Sequence, residues 1–272
     1  MLTAFLAVYL AAFSVTASAG YPERYPFALI SAEELARERA RYWTDGDQIN
    51  PVPKTGDKKV VIIGNSHGID LTYALTENGF KGDISYLRTT NHCSNFGYTP
   101  NEPKYKEFCS GVLKSTLEFD GLKNADVVML HDDWQVHDMD GLNSVINEIK
   151  SRTRAKLIVF GPKMMFNNAP MFIAKKAIEN KKTTFEMVNS YASTFYINSR
   201  WATNADAKVT VSKIPDAEYV DMLSVQCGKS KICNIISPVT GKYLYFDSGH
   251  LTKFGATELG KELKKYYPEI FN

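Results

Sequence analysis

Two distant parts of the sequence carry polar side chains whose types suit nucleophilic catalysis. Ser66 lies in Gly-Asn-Ser-His at 64–67, directly after four apolar residues, and Asp247 and His250 lie three positions apart in the stretch 245–256. A serine hydroxyl is a weak nucleophile that needs a base, usually a histidine, and a group that orients that base. In a loop or a first helical turn, the D-x-x-H spacing lets Asp247 accept a hydrogen bond from one ring nitrogen of His250. The other ring nitrogen is then free for Ser66.

Each of these residues also has a purely structural interpretation. A serine at the start of a helix can be an N-cap that satisfies backbone N–H groups, and a lone D-x-x-H pair can be a surface aspartate beside a capping histidine. The chemical interpretation gains from the position of Ser66, because a helix start offers unpaired N–H groups and the positive end of the helix dipole. Such groups stabilise an oxyanion, and the Ser66 backbone N–H is the first candidate donor.

Short apolar runs alternate with helical patterns from Lys58 onward, which indicates a parallel sheet. Right-handed crossovers cover both faces of such a sheet with helices, so we expect an α/β fold, a three-layer α/β/α sandwich with about five parallel strands. Ligands bind at the carboxyl ends of the strands in these sheets, and Ser66 follows the first predicted strand, KVVIIG. The other predicted strands are 83–87, 126–131, 155–162 and 207–211, and the predicted helices are 67–79, 103–119, 139–152, most of 169–198, 215–227 and a final one from Thr252.

The N-terminus differs from the rest of the chain. Residues 1–22 carry no charged side chain, and about 20 apolar residues are enough to cross a bilayer. A cleaved secretory signal, with Ala17-Ser18-Ala19 as the cleavage site, is the equal alternative, although no basic residue precedes the apolar part; a buried helix of a soluble domain fits less well. Both leading interpretations place the rest of the chain outside the cytoplasm. Residues 23–57 are predicted to be an extension and linker with a short helix at 32–43, and residues 58–272 to be the main domain.

Four cysteines agree with export from the cytoplasm. They allow three pairings, and their spacing favours Cys93 with Cys109 and Cys227 with Cys233. Disulfides are typical of exported proteins, while four buried free thiols remain the alternative. The chain has no C-x-x-C pair and no sequence cluster that calls for a metal, so we expect neither metal nor cofactor. A net charge of +2 without a basic run gives no support for binding nucleic acid.

The two polar stretches together resemble the SGNH (GDSL-like) hydrolase superfamily. More narrowly, the chain resembles the SGNH domains fused behind membrane acyltransferases of the acyltransferase-3 type, which O-acetylate bacterial surface polysaccharides such as lipopolysaccharide O-antigen. The resemblance runs from about Lys58 to the C-terminus. The segments that carry it are GNSH at 64–67, Cys93, VVMLHDDW at 127–134, LIVFGP at 157–162, the last two cysteines and YFDSGHLTKFGA at 245–256.

The resemblance implies a flavodoxin-like SGNH hydrolase fold with Ser66 as nucleophile, His250 as base and Asp247 as the acid that orients the base. The family's Asp after the glycine is an Asn in this sequence, and the family's oxyanion Gly and the Asn of its GxND motif have no clear counterparts. The residues predicted to contact the oxyanion or the substrate are Asn65, Asn91, Ser94 and Trp134. Aromatic candidates for a sugar-binding face, each with core packing as the alternative, are Tyr98, Trp134, Tyr191, Tyr196 and Trp201.

The resemblance also implies the reaction and its partners. An acetyl group would pass through an acyl-serine to a hydroxyl of a glycan acceptor on the periplasmic side. A membrane acyltransferase domain, in the same or a separate chain, would deliver the acyl donor, and the N-terminal helix would tether the domain to the inner membrane. Two alternatives remain: an esterase that uses the same three residues with water as acceptor, and a non-catalytic glycan-binding or scaffolding module.

Overall fold

The computed structural model describes residues 32–49, 58–135 and 138–272. The predicted membrane-crossing or signal segment at 1–22, and residues 23–31 and 50–57 of the predicted extension and linker, lie outside these ranges. None of the helices within them is both long and apolar enough to span a bilayer.

A sheet of five parallel strands forms the centre of the fold, in the order β2-β1-β5-β6-β7. This confirms the predicted α/β architecture, with helices on both faces of the sheet. A second, two-stranded antiparallel sheet pairs β3 with β4. The strands are β1 (Lys59–Gly64), β2 (Asp83–Arg88), β3 (Cys93–Ser94), β4 (Thr99–Pro100), β5 (Val127–Leu130), β6 (Lys156–Phe160) and β7 (Ala217–Val220).

Helices connect the strands and cover the sheet. The α-helices are α1 (Ala32–Gln48), α2 (Ser66–Thr76), α3 (Lys106–Leu117), α4 (Asp120–Lys123), α5 (Met139–Arg152), α6 (Pro170–Glu179), α7 (Phe185–Ala192), α8 (Ser199–Ser212), α9 (Met222–Cys227) and α10 (Lys253–Tyr266). The last helix begins where the sequence predicts, because Thr252 caps it by accepting a hydrogen bond from the Gly255 N–H (2.9 Å).

The sheet separates two hydrophobic cores, and β1 contributes to both. Val60 and Ile62 pack on the side of α2, α6 and α10, while Val61 and Ile63 pack on the side of α5 and α8. Successive side chains of a strand point to opposite faces, so a strand buried on both faces needs a continuous apolar run. All four side chains are at most 2% exposed, and burying each one contributes about 1.5–3 kcal/mol.

The predicted fifth strand at 207–211 is wrong, and so is part of the helix predicted at 215–227. Residues 207–211 lie inside α8, where Ala207 and Val211 are buried and Val209 is 53% exposed. This burial has the spacing of a helix face, which outweighs the β-branched character of the segment. The fifth strand is β7, and α9 begins only at Met222.

Both predicted disulfides are formed in the structure. Cys93 pairs with Cys109 and Cys227 pairs with Cys233, with Cα–Cα distances of 5.5 and 4.1 Å. The first bond ties β3 to α3, and the second joins the end of α9 to the loop that follows it.

We predict that the Cys93→Ala/Cys109→Ala variant loses about 3 kcal/mol of unfolding free energy, because the bond closes a loop with a sequence separation of 16. Urea unfolding measured without reductant provides the test. The matched variant Cys227→Ala/Cys233→Ala opens a shorter loop, with a separation of 6, and is expected to lose less. Unchanged unfolding of the first variant would contradict the prediction.

Candidate active site

Ser66 lies in the first turn of α2, at the carboxyl end of β1. The turn is tight, since a Cβ atom on Gly64 would lie 2.0 Å from the carbonyl oxygen of His131. Only glycine allows so close an approach of two backbones. Asn65 is the N-cap of α2, and its side-chain oxygen accepts a hydrogen bond from the His67 N–H (3.0 Å). Because Asn65 supplies the cap, capping does not account for the serine at position 66.

The packing of α10 on α2 brings the two polar stretches of the sequence together. α10 begins three residues after His250, and α2 begins at Ser66. A Cβ atom on Gly260 in α10 would lie 2.0 Å from the carbonyl oxygen of Ala74 in α2. The two helices are therefore in backbone contact, and the starts of both lie at the same edge of the sheet.

Ser66, His250 and Asp247 form a continuous hydrogen-bonded series at this edge. The Oγ atom of Ser66 is 2.8 Å from Nε2 of His250. The Nδ1 atom of His250 is 2.9 and 3.0 Å from the two carboxylate oxygens of Asp247. Asp247 also accepts hydrogen bonds from the backbone N–H groups of Gly249 (2.9 Å) and His250 (2.8 Å). The D-x-x-H segment thus folds around its own carboxylate.

The charge of Asp247 fixes the tautomer of His250. Burial by itself raises the pKa of this carboxyl, but the hydrogen bonds from the His250 ring and from two backbone N–H groups outweigh it, and the pKa of Asp247 is lowered to about 2. An ionised carboxylate only accepts hydrogen bonds, so Nδ1 of His250 carries a proton. The Nε2 atom is then the acceptor that faces the Ser66 hydroxyl.

The other described histidines do not offer a base to Ser66. His67 and His131 are buried, and burial lowers the pKa of His67 well below its ordinary value and that of His131 to about 3. His92 is exposed and stacks on Tyr105, with ring centroids 4.2 Å apart. His250 is the histidine in contact with the serine hydroxyl.

Three aromatic side chains lie around the His250 ring. Phe246 stacks on the His250 ring at 5.6 Å, and Trp43 meets it edge-on at 5.3 Å. Tyr42 lies 5.7 Å from the same ring and donates a hydrogen bond to the carbonyl oxygen of Ser66 (2.6 Å). Tyr42 and Trp43 belong to α1, which continues five residues past its predicted end at Trp43. The extension thus supplies one wall of the site, a role that the sequence analysis missed.

The other residues predicted to contact the oxyanion or the substrate have structural contacts that do not indicate such a role. Trp134 is 1% exposed, and its indole N–H donates to the carbonyl oxygen of Phe160 (2.8 Å), so its position in the core does not support a substrate contact. The Ser94 hydroxyl donates a hydrogen bond to the side-chain oxygen of Asn101 (2.6 Å), and the backbone carbonyl of Asn91 accepts one from the Asn101 amide (2.7 Å). Asn65 acts as the helix cap, as described above. Of the aromatic candidates for a sugar face, Tyr98 is 40% exposed, whereas Tyr196 is buried like Trp134.

Within the described ranges, no group of three or more His, Cys, Asp and Glu side chains is arranged to hold a metal ion.

The fold is a three-layer α/β/α sandwich with a parallel central sheet, and a serine–histidine–aspartate series lies at the carboxyl edge of that sheet. This combination is that of the general class of SGNH-type domains. The sequence pattern described as "SGNH domain (fused to AT3 domains)" matches residues 34–265, and the chain belongs to that family. The matched range includes most of α1, in agreement with the packing of that helix beside His250.

Two solved structures are similar to this chain, and the first of them shows the same fold. The periplasmic domain of a lipopolysaccharide acetyltransferase from Salmonella serovar Paratyphi A has a TM-score of 0.61 and 21% identity, covering 78% of this chain and 84% of that one. A Streptococcus pneumonia protein named after platelet activating factor has a TM-score of 0.46 and 14% identity, covering 85% and 94%. No curated protein sequence matches the chain.

Proposed function

We propose that this domain transfers an acetyl group, through an acyl-serine on Ser66, to a hydroxyl of a glycan outside the cytoplasm. The observation that carries the proposal is the series from Ser66 Oγ through the His250 ring to Asp247, with each step between 2.8 and 3.0 Å. Membership of a family of SGNH domains fused to AT3 domains supports acyl transfer. The name of the Salmonella relative supports a polysaccharide as acceptor.

The chemistry proceeds in two halves. Ser66 Oγ attacks the acetyl carbonyl while Nε2 of His250 takes the serine proton, and the developing oxyanion is held by backbone N–H groups at the start of α2. The bond between the acetyl carbon and the donor then breaks, and His250 gives the proton to the leaving group of the donor. In the second half His250 removes a proton from the sugar hydroxyl, whose oxygen attacks the acetyl-serine. The bond from the acetyl carbon to Ser66 Oγ breaks, and His250 returns the proton to Oγ.

Both disulfides support a location outside the cytoplasm, because such bonds persist in oxidising compartments. We place the domain on the periplasmic face, where a membrane acyltransferase domain, in the same chain or a separate one, delivers the acyl donor. Tethering to the inner membrane through residues 1–22 remains a prediction.

One observation favours an esterase as the second candidate. The side chains of His250 and Asp247 are 19% and 27% exposed, so water reaches the base as the site stands. In that case acetyl-serine is hydrolysed and no acetyl group reaches a sugar.

The two candidates differ in the fate of the acetyl group. p-Nitrophenyl acetate is supplied with and without a deacetylated surface polysaccharide, p-nitrophenol release is followed, and mass spectrometry locates the acetyl group. Acetyl on sugar supports the transferase, and release as acetate regardless of acceptor supports the esterase. Absence of both p-nitrophenol release and an acetylated Ser66 peptide would contradict both.

We predict that Trp43→Ala raises the KM for a glycan acceptor about five- to tenfold, equivalent to about 1 kcal/mol, and leaves p-nitrophenyl acetate hydrolysis nearly unchanged. The Trp43 ring lies between His250 and Arg88, whose guanidinium is 5.2 Å from it, so it borders the side from which an acceptor approaches. Initial rates of sugar acetylation at varied acceptor concentration provide the test. Phe80→Ala, which removes a partly buried aromatic side chain that packs on the core and is not a candidate for the sugar-binding face, is the control and should leave KM unchanged. Equal KM values for the two variants would contradict the prediction.

A further inference from the structure

A buried ion pair lies directly beneath the serine–histidine–aspartate series. The Nζ atom of Lys163 is 3.0 Å from a carboxylate oxygen of Asp70, and the two side chains are 0% and 1% exposed. Asp70 is in α2, four residues after Ser66, and Lys163 is the third residue after β6. Taking two charges out of water costs several kcal/mol for each ion. Neither residue has a part in the two halves of the proposed reaction, so the pair calls for another explanation.

The pair contacts the backbone on both sides of His250. The Lys163 ammonium donates a hydrogen bond to the carbonyl oxygen of Gly249, the residue before His250. The Asp70 carboxylate accepts one from the N–H of Leu251, the residue after His250 (3.3 Å). One ion pair therefore joins the loop that carries the base to the helix that carries the nucleophile.

We propose that Lys163 and Asp70 are positioning residues that hold the His250 loop on α2 and so keep Nε2 of His250 within hydrogen-bonding distance of Ser66. Because the pair contains one cation and one anion, it adds no net charge beside the His250 imidazole. This inference rests on the proposed function only in naming His250 as the base, since the contacts stand without it.

Several other groups face His250 and bear on its protonation. Its own loop supplies Asp247; α2 supplies His67, whose ring centroid is 6.3 Å away, in addition to Asp70; and α1 supplies the Tyr42 hydroxyl group. Burial raises the pKa of Asp70, while the nearby Lys163 and His250 oppose that rise. Burial is the largest cause of the low pKa of His67 and of the high pKa of Tyr42, and both groups stay buried in the variants; Lys163 and Asp70, respectively, add to these two shifts.

The two charges have opposite expected effects when they are removed separately. Asp70→Asn leaves a cation beneath the ring, which disfavours imidazolium, so the acid limb of the activity profile moves to lower pH. Lys163→Met leaves an anion, so the acid limb moves to higher pH. Each shift is expected to be about one pH unit, the lower end of what a neighbouring charge causes. Partial neutralisation of the unpaired partner reduces these shifts but keeps their signs.

The rate of Ser66 acylation tests the positioning of His250, whereas the pH of the acid limb tests the effect of charge. Phosphonylation of Ser66 by a fluorophosphonate and acylation of Ser66 by p-nitrophenyl acetate are measured from pH 5 to 9 for wild type, both single variants and Asp70→Asn/Lys163→Met. We expect acylation about 10- to 100-fold slower in all three variants, while the acid limb of the double variant returns to the wild-type position. Lys253→Met, which removes an exposed cation three residues after His250 that pairs with Glu77 (2.8 Å), should change neither quantity.

The outcomes separate this inference from the proposed function. The hydrogen-bonded Nδ1 proton of His250 is observed by NMR without substrate, and we expect its signal to broaden in the three variants and to persist in Lys253→Met. A wild type that forms no acetyl-serine defeats the proposed function, while the NMR signal still decides the positioning role. The double variant leaves no buried charge unpaired, so it tests the role even where a single variant fails to fold. Wild-type acylation in the double variant, or acid limbs that move in the same direction in both single variants, would overturn the inference.

Discussion

Replacing Ser66 with alanine is expected to lower kcat/KM for p-nitrophenyl acetate by about 10⁴-fold or more. The Ser66 hydroxyl is the group that His250 contacts, at 2.8 Å, and alanine offers nothing that can carry the acetyl group. The residue is 6% exposed and alanine is smaller, so the loss is expected without a loss of folding. The measurement combines initial rates with mass spectrometry of the peptide that contains position 66.

A serine elsewhere provides the control for this experiment. Ser151, on the exposed surface of α5, donates a hydrogen bond to the carbonyl oxygen of Glu148 in its own helix. Ser151→Ala should keep full activity. If Ser66→Ala retained acetyl transfer, Ser66 would not be the nucleophile. If neither wild type nor Ser66→Ala formed acetyl-enzyme or released p-nitrophenol, the non-catalytic interpretation, in which the domain acts by binding a glycan, would gain support. A glycan-binding measurement on Ser66→Ala completes the test, because that interpretation requires binding without turnover.

The parts of the site that follow from short segments are predictable from sequence. Asp247 and His250 are linked by hydrogen bonds within one turn, so their spacing alone determines that carboxylate and imidazole meet. Ser66 follows a continuous apolar run, and such a run identifies a strand buried on both faces. The carboxyl end of that strand is where a parallel sheet binds its ligands. Local geometry and topology therefore make these three residues candidates, and the resemblance of both segments to the SGNH family selects them over the structural alternatives.

The parts that depend on distant contacts are not predictable in this way. Tyr42 and Trp43 lie in a helix in which eight of the 17 residues are charged, and its sequence pattern does not indicate which surface it covers. The ion pair of Lys163 and Asp70 is harder still, because charged residues are almost never fully buried unless they are paired. Their burial becomes evident only when β6 and α2 are seen side by side.

The location of the edge strand β7 also could not be predicted from the sequence. In β7, Val220 is 2% exposed, but the neighbouring strand residues are only partly buried or exposed. An edge strand that is covered on one side gives no continuous apolar run. The segment at 207–211 has more β-branched residues yet lies in α8, because Ala207 and Val211 fill one helical face of the core. Tertiary packing decides both cases against local propensity.

Replacing Asp247 with asparagine is expected to lower kcat by about 10³- to 10⁴-fold. Asparagine keeps the shape of the side chain, but its amide can turn an N–H group toward Nδ1 of His250. His250 would then place its proton on Nε2, which faces Ser66, and lose its ability to accept the serine proton. Removal of the negative charge also disfavours the imidazolium that forms during the reaction, so the acid limb of the remaining activity should move to lower pH.

The low pKa of Asp247 gives this prediction a second, independent readout in stability. The folded carboxyl titrates at about 2, below the ordinary value of about 3.9 in an unfolded chain. A depressed pKa stabilises the folded state at pH values above the unfolded pKa, and that contribution is lost as the pH falls toward 2. Urea unfolding should therefore show wild type more stable than Asp247→Asn at pH 6, with the difference shrinking between about pH 4 and pH 2. Asp206→Asn, which alters a solvent-exposed carboxylate on α8, should show no such dependence. A stability gap for Asp247→Asn that stays constant down to pH 2 would mean that the carboxylate is not held in its ionised form by His250 and the loop N–H groups, and the tautomer argument for the base would fail with it.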